Sequence, residues 1–486
     1  MDTFLNRRTA LWVVVAVTAW RLYLSATLQL HADEPYYWLW ARNLASAYFD
    51  HAPMVAYFIR LTTVFSDAEG WLRASGLVAG LVASAVLWHL AMQLFGNERV
   101  AAGSVILFNL LPLTMLGLLI MTPDVPLFLF ASLSVLLFWQ AASGQQPWRW
   151  YGLGLVFGLA LLSKYTAILM APCFLLYLLL SDERRWLKTV HPYAGFALSL
   201  ACFAPVLWWN HAHDWVSFTF QARNGLGSQE LVLDKVAEFL SGQAFFSSPF
   251  IWCAGLCAAF SGVVRKDKRL LFLVTTSVPV IVFFALSSLR KTAYPNWASF
   301  AYLSFCLWAT YYLLAEGGRM RRVVWAVSLG ISASLSLAIT SHARFGVLPL
   351  EQFSQQAAEA DASNQVYGWR ELVQELETRY PERKTVVTLS HQLSSLIMYY
   401  SDQRLVAKTA KLTRPSQFNY WDWAQDLPVQ DALYVWSQAD SLVEPGSPYL
   451  TAAYSQIFPV QREGRLLRTY YIYAGGKDRP IPFPGE

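Results

Sequence analysis

Residues 10–37 read ALWVVVAVTAWRLYLSATLQLHADEPYY, an apolar run that leads directly into the acidic pair Asp33 and Glu34. A run of this length is long enough to cross a lipid bilayer. The two carboxylates therefore fall at a membrane rim, where an acid keeps its charge and can accept a proton, whereas deeper in lipid the charge is costly. The alternative is structural, since Asp before Glu-Pro is also typical of a helix N-cap.

The composition indicates a polytopic membrane protein. Hydrophobic residues make up 55% of the 486 residues and charged residues only 14%, with 21 Trp. This exceeds the apolar content of soluble domains. Apolar windows of spanning length are read at about 10–30, 72–95, 99–120, 123–142, 190–209, 244–264, 270–289, 294–315 and 322–341. The stretch 150–181 is too long for one span, and Lys164 divides it into 150–163 and 165–181. The pattern predicts eleven spans.

Loop charges predict the orientation of these spans. With the N-terminus in the cytoplasm, most basic loops face the cytoplasm, namely Arg7, Arg8, Arg99, Arg149, 182–188, 265–269 and 319–322. An odd number of spans then sends the C-terminus to the other side. The basic start is also compatible with a signal peptide, but the apolar run leads into further spans and is interpreted as a signal anchor.

The chain divides into a membrane domain, 1–344, and a soluble domain, 345–486. The soluble part carries 13 Lys or Arg and 16 Asp or Glu, a net charge of −3, whereas the rest carries +8. Its pattern alternates helix with strand, which predicts a small periplasmic α/β unit. The predicted elements are a helix at 368–376, a strand at 384–389, a helix at 394–400 and a strand at 432–436.

Polar residues cluster on the predicted outer side. They are Asp33, Glu34, Asp50, His51, Asp124, Lys164, Tyr165, Arg223, Arg290 and Lys291. Cations here break the positive-inside trend, which favours an anionic ligand such as a phosphate or pyrophosphate. The alternative for the cations is that they snorkel to the outer headgroups. The alternative for Asp124 is that it caps a helix, a role that is compatible with a functional one. Tyr37 and other rim aromatics can stack on sugars or anchor the interface.

No pattern requires a cofactor. The five cysteines all lie in apolar spans, so neither a disulfide framework nor a zinc cluster is predicted. A divalent metal held by Asp33, Glu34, His51 and Asp124 is possible, but no fixed spacing supports it. No nucleic-acid partner is predicted.

Six motifs, in this order, resemble those of bacterial members of glycosyltransferase family 39. These are enzymes of the GT-C fold akin to protein O-mannosyltransferases and to the aminoarabinose transferases of lipid A. The motifs are Asp33-Glu-Pro-Tyr-Tyr-Trp38, Tyr48-Phe-Asp-His-Ala-Pro53, Thr122-Pro-Asp-Val-Pro-Leu127, Gly158-Leu-Ala-Leu-Leu-Ser-Lys-Tyr-Thr166, Phe239-Leu-Ser-Gly-Gln243 and Tyr294-Pro-Asn-Trp297. Tyr367-Gly-Trp-Arg-Glu371 extends the resemblance into the soluble part.

The resemblance implies transfer of a sugar from a polyprenyl-phosphate donor at the periplasmic face of the bacterial inner membrane. The implied acceptor is a lipopolysaccharide or lipid A, another glycolipid or a protein. Asp33 is implied to be the base, with Glu34 beside it and Asp124 supporting the site. The candidate ligands of the donor phosphate are Lys164, Arg223, Arg290 and Lys291, and the candidate substrate contacts are Asp50, His51, Tyr37, Tyr165 and Asn296. Ala52 stands where aminoarabinose transferases usually carry Lys, so aminoarabinose is not implied as the sugar.

One carboxylate suffices for a single displacement with inversion, whereas retention requires a second carboxylate about 5 Å away across the sugar. The sequence does not place Glu34 or Asp124 at that distance, and inversion is favoured. The rival interpretation is a transporter or flippase of lipid-linked saccharides. Transporters usually carry internal repeats with a site near the midplane, and neither feature is evident in this sequence. A non-catalytic scaffold would explain the soluble part but not the acids at the rim.

Overall fold

The protein is described from a computed structural model. The structure describes residues 5–226, 231–265, 267–315, 318–348, 350, 361–410, 414–429, 431–437, 456–462 and 464–475. The chain divides into two compact units. The first contains Met1–Ala26 and Ala45–Thr340, and the second contains Thr27–Leu44 and Ser341–Glu486. The segment Thr27–Leu44, which carries Asp33 and Glu34, is thus grouped with the C-terminal part of the chain.

Helices build the first unit. In chain order they are α1 (Arg7–Thr27), α3 (Met54–Thr62), α4 (Glu69–Leu72), α5 (Ala74–Phe95), α6 (Glu98–Leu110), α7 (Pro112–Gly117), α8 (Asp124–Ser143), α9 (Trp148–Ser163), α10 (Met170–Leu180), α11 (His191–Ala212), α12 (Val216–Leu226), α13 (Leu233–Ser247), α14 (Pro249–Arg265), α15 (Lys268–Thr275), α16 (Val278–Ser288), α17 (Tyr302–Leu314) and α18 (Arg319–Phe345). Short 3-10 segments lie at Tyr165–Leu169, Asp182–Lys188 and Pro295–Ala301. The helix numbered α2 (Glu34–Arg42) belongs to the second unit.

Several of these helices are long and apolar enough to cross a membrane, and the chain is a multi-pass membrane protein. Within the described residues six helical stretches meet this test, or seven if one bent pair counts as a single span. They are Arg7–Thr27, Glu69–Phe95, Asp124–Ser143, His191–Ala212, Lys268–Ser288 and Arg319–Phe345, with Tyr165–Leu180 and Asp182–Lys188 as the bent pair.

The predicted count of eleven spans is not confirmed, because some predicted spans consist of two shorter pieces. The window 99–120 is divided at Leu111, whose backbone is extended, since Pro112 begins a new helix. The window 294–315 is a 3-10 segment followed by α17. The predicted break at Lys164 is present, because α9 ends at Ser163 and Lys164 is extended.

Two glycines allow α9 and α11 to pack closely. A Cβ added to Gly154 would collide with the carbonyl of Gly195, and one added to Gly195 would collide with the carbonyl of Trp150. Glycine is required where two backbones approach this closely. The contact fixes α9 on α11, and α9 also packs on α8. The position of Lys164, at the end of α9, follows from this packing.

The second unit contains a five-stranded sheet with the order β2-β1-β3-β5-β4. The strands are β1 (Thr385–Thr388), β2 (Val406–Thr409), β3 (Leu433–Ser437), β4 (Gln456–Arg462) and β5 (Arg465–Ala474). Strands β2, β1 and β3 are parallel, while β5 pairs antiparallel with both β3 and β4. The helices are α19 (Trp369–Arg379), α20 (His391–Tyr400) and α21 (Asp422–Gln425). The four elements predicted for this region correspond to α19, β1, α20 and β3.

The segment Thr27–Leu44 packs on α20 within the second unit. The Trp38 ring lies edge-on to the Tyr399 ring, with centroids 5.1 Å apart. The Tyr400 hydroxyl accepts a hydrogen bond from the backbone N–H of Leu30 at 2.7 Å. The backbone N–H of Gln417 donates to the Tyr36 hydroxyl at 2.6 Å. These contacts fix the turn that precedes α2, and with it Asp33.

Candidate active site

A buried ion pair joins two helix ends in the first unit. The Lys164 Nζ lies 2.8 Å from Asp124 Oδ1, and the two side chains are only 9% and 5% exposed. A buried charge is tolerated when it is paired and hydrogen-bonded, whereas a buried charge left alone is strongly unfavourable. The two residues therefore depend on each other for burial.

The local backbone structure explains why the side chains of Asp124 and Lys164 meet. Asp124 is the first residue of α8, after Pro123. The positive end of the helix dipole stabilises a carboxylate there. Lys164 has extended φ and ψ of −157° and 136°, which turns the chain between α9 and the segment Tyr165–Leu169. The Asp124 carboxylate accepts bonds from side chains, and the start of α8 has no side-chain cap bond.

Asn296 binds the other oxygen of Asp124. Its Nδ2 donates to Asp124 Oδ2 at 2.9 Å. Gln243 donates from Nε2 to the carbonyl of Pro295 at 2.9 Å, and a Cβ on Gly242 would lie 2.8 Å from Pro295 Cγ. The motifs 239–243 and 294–297 therefore pack together and fix Asn296, a predicted substrate contact, against the carboxylate.

Sequence reasoning gave no role to the side chains that fix Gln243. The Tyr302 hydroxyl donates to Gln243 Oε1 at 2.7 Å, and Trp252 Nε1 donates to the Tyr302 hydroxyl at 3.1 Å. All three residues are buried. Buried polar groups need partners, so this network holds the Gln243 amide in one orientation. The available signal was that Gln243 lies within a motif of the resemblance.

Asp50, His51 and Tyr165 gather around α12. Ser217 Oγ donates to the carbonyl of Tyr48 at 2.8 Å. The Gln221 amide donates to the carbonyl of Asp50 and lies 3.5 Å from His51 Nδ1. On the same helix, the Phe218 ring lies edge-on to the Tyr165 ring, with centroids 5.1 Å apart. Helix α12 thus connects the motif 48–53 with the residue that follows Lys164. Ser217 and Gln221 were not predicted.

The remaining predicted cations lie at the surface. Arg223, on α12, is exposed, as are Arg290 and Lys291, which follow α16. The structure places these three side chains outside the buried pair of Lys164 and Asp124. Lys164 is therefore the buried cation among the four candidates.

Asp33 lies in the second unit and does not act as a capping residue. It directly precedes α2, but its side chain makes no capping hydrogen bond. Its Oδ1 accepts from Gln392 Nε2 at 3.3 Å, and its Oδ2 lies 3.9 Å from His31 Nδ1. The side chain is 38% exposed. The carboxylate is thus both oriented and accessible, as proton transfer requires.

Glu34 and Tyr37 are buried in the same segment. Glu34 is fully buried, and its Oε2 accepts the backbone N–H of His31 at 2.7 Å. This bond closes the turn that presents Asp33. The Tyr37 ring lies edge-on to the Trp40 ring, with centroids 5.0 Å apart, and is 7% exposed. Both side chains support the segment by packing and hydrogen bonding.

Within the described residues, no three His, Cys, Asp or Glu side chains are placed to hold a metal ion together. All five cysteines are free.

Removing one partner of the buried pair should destabilise the protein strongly. We expect Asp124→Asn to lose about 3–5 kcal/mol of unfolding free energy, because an unpaired ammonium remains buried. The double variant Asp124→Asn/Lys164→Met should recover most of this loss. Thermal unfolding in detergent measures the effect.

The matched control is Glu377→Gln, which removes the partner of Arg404 in an ion pair that is 25% and 65% exposed. That change should cost less than about 1 kcal/mol. Equal losses for Asp124→Asn and Glu377→Gln would contradict the assigned burial of the Lys164 charge.

Comparisons with known proteins show which family model and which relative the chain is similar to. The family model described as dolichyl-phosphate-mannose-protein mannosyltransferase matches residues 50–209. This range contains Asp50, His51, Asp124, Lys164 and Tyr165. A lipid A galacturonosyltransferase, RgtD, from Rhizobium johnstonii is 28% identical over 337 residues, which cover 65% of this chain and 68% of the relative.

Two solved structures share the fold. ArnT from Cupriavidus metallidurans, solved bound to undecaprenyl phosphate, superimposes with a TM-score of 0.64 at 15% identity and covers 95% of this chain and 97% of its own. The oligosaccharyltransferase of Archaeoglobus fulgidus superimposes with a TM-score of 0.51 at 13% identity, covering 83% and 64%. Together these findings confirm the resemblance inferred from the sequence, which is to membrane glycosyltransferases of the GT-C type.

Proposed function

We propose that this protein transfers a sugar from a polyprenyl-phosphate-linked donor to a glycolipid acceptor of the lipid A class, at the periplasmic face of the bacterial inner membrane. The observation that carries the proposal is the buried ammonium of Lys164 in a chain with the ArnT-like fold. The ArnT neighbour was solved with undecaprenyl phosphate, and RgtD is named for transfer of galacturonic acid to lipid A.

Lys164 is suited to a phosphate ligand. An ammonium has three N–H donors, and in the described part of the chain one of them is used, by Asp124. Two donors remain for the oxygens of a phosphate. A Lys is a compact point charge that binds phosphate well. Asp124 contacts the ammonium, and Asn296 in turn binds the Asp124 carboxylate.

The proposed reaction is a single displacement. The acceptor hydroxyl oxygen attacks the anomeric carbon of the donor, and the bond from that carbon to the phosphate oxygen breaks. Polyprenyl phosphate leaves with the electron pair of the broken bond, and Lys164 stabilises its charge. The hydroxyl proton passes to the Asp33 carboxylate. One base in one displacement inverts the anomeric configuration.

Asp33 is proposed as the base because of its environment. Its carboxylate is partly exposed and accepts a long hydrogen bond from Gln392 Nε2. Glu34 is proposed to position this turn through its bond to the His31 N–H. Arg223, Arg290 and Lys291, being exposed, are proposed to attract anionic lipid headgroups to the site.

Ala52 bears on the identity of the sugar. It is fully buried in the motif where aminoarabinose transferases usually carry Lys. A buried methyl group adds no charge next to Asp50 and His51. We propose that the transferred sugar is one other than aminoarabinose.

The direct test is sugar transfer by purified protein in detergent, from radiolabelled polyprenyl-phosphate sugars to lipid A. Formation of a labelled glycolipid together with free polyprenyl phosphate supports the proposal. The transporter alternative predicts instead that label crosses the bilayer of a proteoliposome without any change of the donor. That result would overturn the proposed transfer.

Replacement of Asp33 should abolish proton transfer but preserve the fold. We expect Asp33→Asn to lower turnover by roughly 10²–10⁴, the usual contribution of a positioned base, with an unchanged melting temperature. The matched control is Asp402→Asn, the same change at an exposed aspartate of the second unit, which should retain full turnover. Full activity in a folded Asp33→Asn variant would refute the assignment of the base.

The proposed orientation places the N-terminus in the cytoplasm and the second unit in the periplasm. In a variant whose five cysteines are replaced by alanine, single cysteines at the exposed positions Glu382 and Asp402 should react with an impermeant thiol reagent in intact spheroplasts. Cysteines at Arg184 and Arg319, also exposed, should react only after permeabilisation. The reverse pattern would contradict the orientation.

A further inference from the structure

Gln392 connects the sheet of the second unit to Asp33. Its Nε2 donates to Asp33 Oδ1 at 3.3 Å, while its Oε1 accepts from Ser390 Oγ at 2.7 Å. Both ends of the amide are therefore used, which fixes its orientation. The nitrogen end faces the carboxylate.

The loop between β1 and α20 fixes the position of Ser390, to which the Gln392 amide is bonded. Thr388, the last residue of β1, donates from Oγ1 to the carbonyl of Ser390 at 2.8 Å. Ser390 is the N-cap of α20 and accepts the N–H of Leu393. This loop follows the carboxyl end of β1, which pairs in parallel with β2 on one side and with β3 on the other. In open α/β sheets that end of the strands is the usual position of functional groups.

Other charged groups also face Asp33 or its neighbourhood. His31 approaches Asp33 at 3.9 Å, Glu34 follows it in the chain, and His391 precedes Gln392 on α20. Burial, together with the charge of Arg414, lowers the pKa of His391 to about 3, so this ring is neutral at physiological pH. The amide of Gln392 is thus the group of α20 that binds Asp33 directly.

We propose that Gln392 is a positioning residue for the reaction: the amide, anchored by Ser390, orients the Asp33 carboxylate. The inference rests on the proposed function of Asp33 as base. It gives the C-terminal region a part in catalysis, because the group that orients the base lies 359 residues away in the chain.

A charge series at position 392 tests this contact. A negative charge beside Asp33 raises its pKa and a positive charge lowers it. We expect Gln392→Glu to move the pKa of Asp33 up, and Gln392→Lys to move it down, by roughly 0.5–1 unit each, since the site is partly exposed to solvent. His31, Glu34 and Arg414 are present in every variant, so the difference between variants isolates residue 392.

The readout is the pH dependence of carbodiimide labelling of the Asp33 peptide, measured by mass spectrometry on the full-length protein in detergent. The matched controls are Gln461→Glu and Gln461→Lys, which make the same charge changes at an exposed glutamine of β4. These controls should leave the labelling profile unchanged. Identical profiles for Gln392→Glu, Gln392→Lys and the parent protein would overturn the proposal.

A second measurement separates this inference from the proposed function. If sugar transfer is observed, the acid limb of kcat/KM should move in the same direction as the labelling profile, since Asp33 must be ionised to act as base. If the labelling profile shifts but the parent protein transfers no sugar, the proposed function is refuted, whereas the contact between Gln392 and Asp33 is supported. Transfer with an unshifted limb in Gln392→Glu would refute the positioning role.

Discussion

The ion pair between Lys164 and Asp124 is the interaction around which the first unit is organised. Four of the motifs converge on it. One provides Asp124, another provides Lys164, and the motifs 239–243 and 294–297 together hold Asn296 against the carboxylate. The pair is buried, so each charge is tolerated because the other is present. Because each buried charge needs the other, Asp124 and Lys164 must occupy fixed positions although they are far apart in sequence.

The second unit contains Asp33, whose requirements differ from those of the buried ion pair. As the proposed base, Asp33 has to be accessible to its proton donor, and its carboxylate has to be oriented. Asp33 is partly exposed, and the structure orients it through Gln392 on one side and the buried turn closed by Glu34 on the other. The segment that carries Asp33 is grouped with the C-terminal part of the chain.

The sequence was informative where the signal is local. Apolar windows identified helices, the break at Lys164 was recognisable from its charge, and α19, β1, α20 and β3 followed from periodicity. Strands β2, β4 and β5 were not recognised, although the run from Arg465 to Ala474 is rich in aromatic and β-branched residues. The predicted count of eleven spans is not confirmed, and hydropathy windows do not show where a proline such as Pro112 starts a new helix.

In the candidate site, too, local features could be predicted from the sequence and long-range contacts could not. The sequence singled out Asp124, Lys164 and Asn296 by residue type and resemblance, but their mutual contacts depend on long-range packing. Gln243, Tyr302 and Gln392 are uncharged, and of the three only Gln243 lies within a motif of the resemblance. Their roles emerge from hydrogen bonds across 52, 59 and 359 positions of sequence. Among the cations, burial separates Lys164 from Arg223, Arg290 and Lys291, which sequence reasoning had treated alike.

We propose that the Lys164 ammonium holds the donor phosphate. Binding of a short-chain polyprenyl monophosphate, followed by ³¹P NMR, is the measurement that tests this role. Asp124→Asn keeps the cation, and the double variant Asp124→Asn/Lys164→Met removes it. Our account predicts that the first variant binds the phosphate at least as tightly as the parent protein. The double variant should bind at least about tenfold more weakly, or about 1.4 kcal/mol. Equal affinity for both folded variants would contradict the claim.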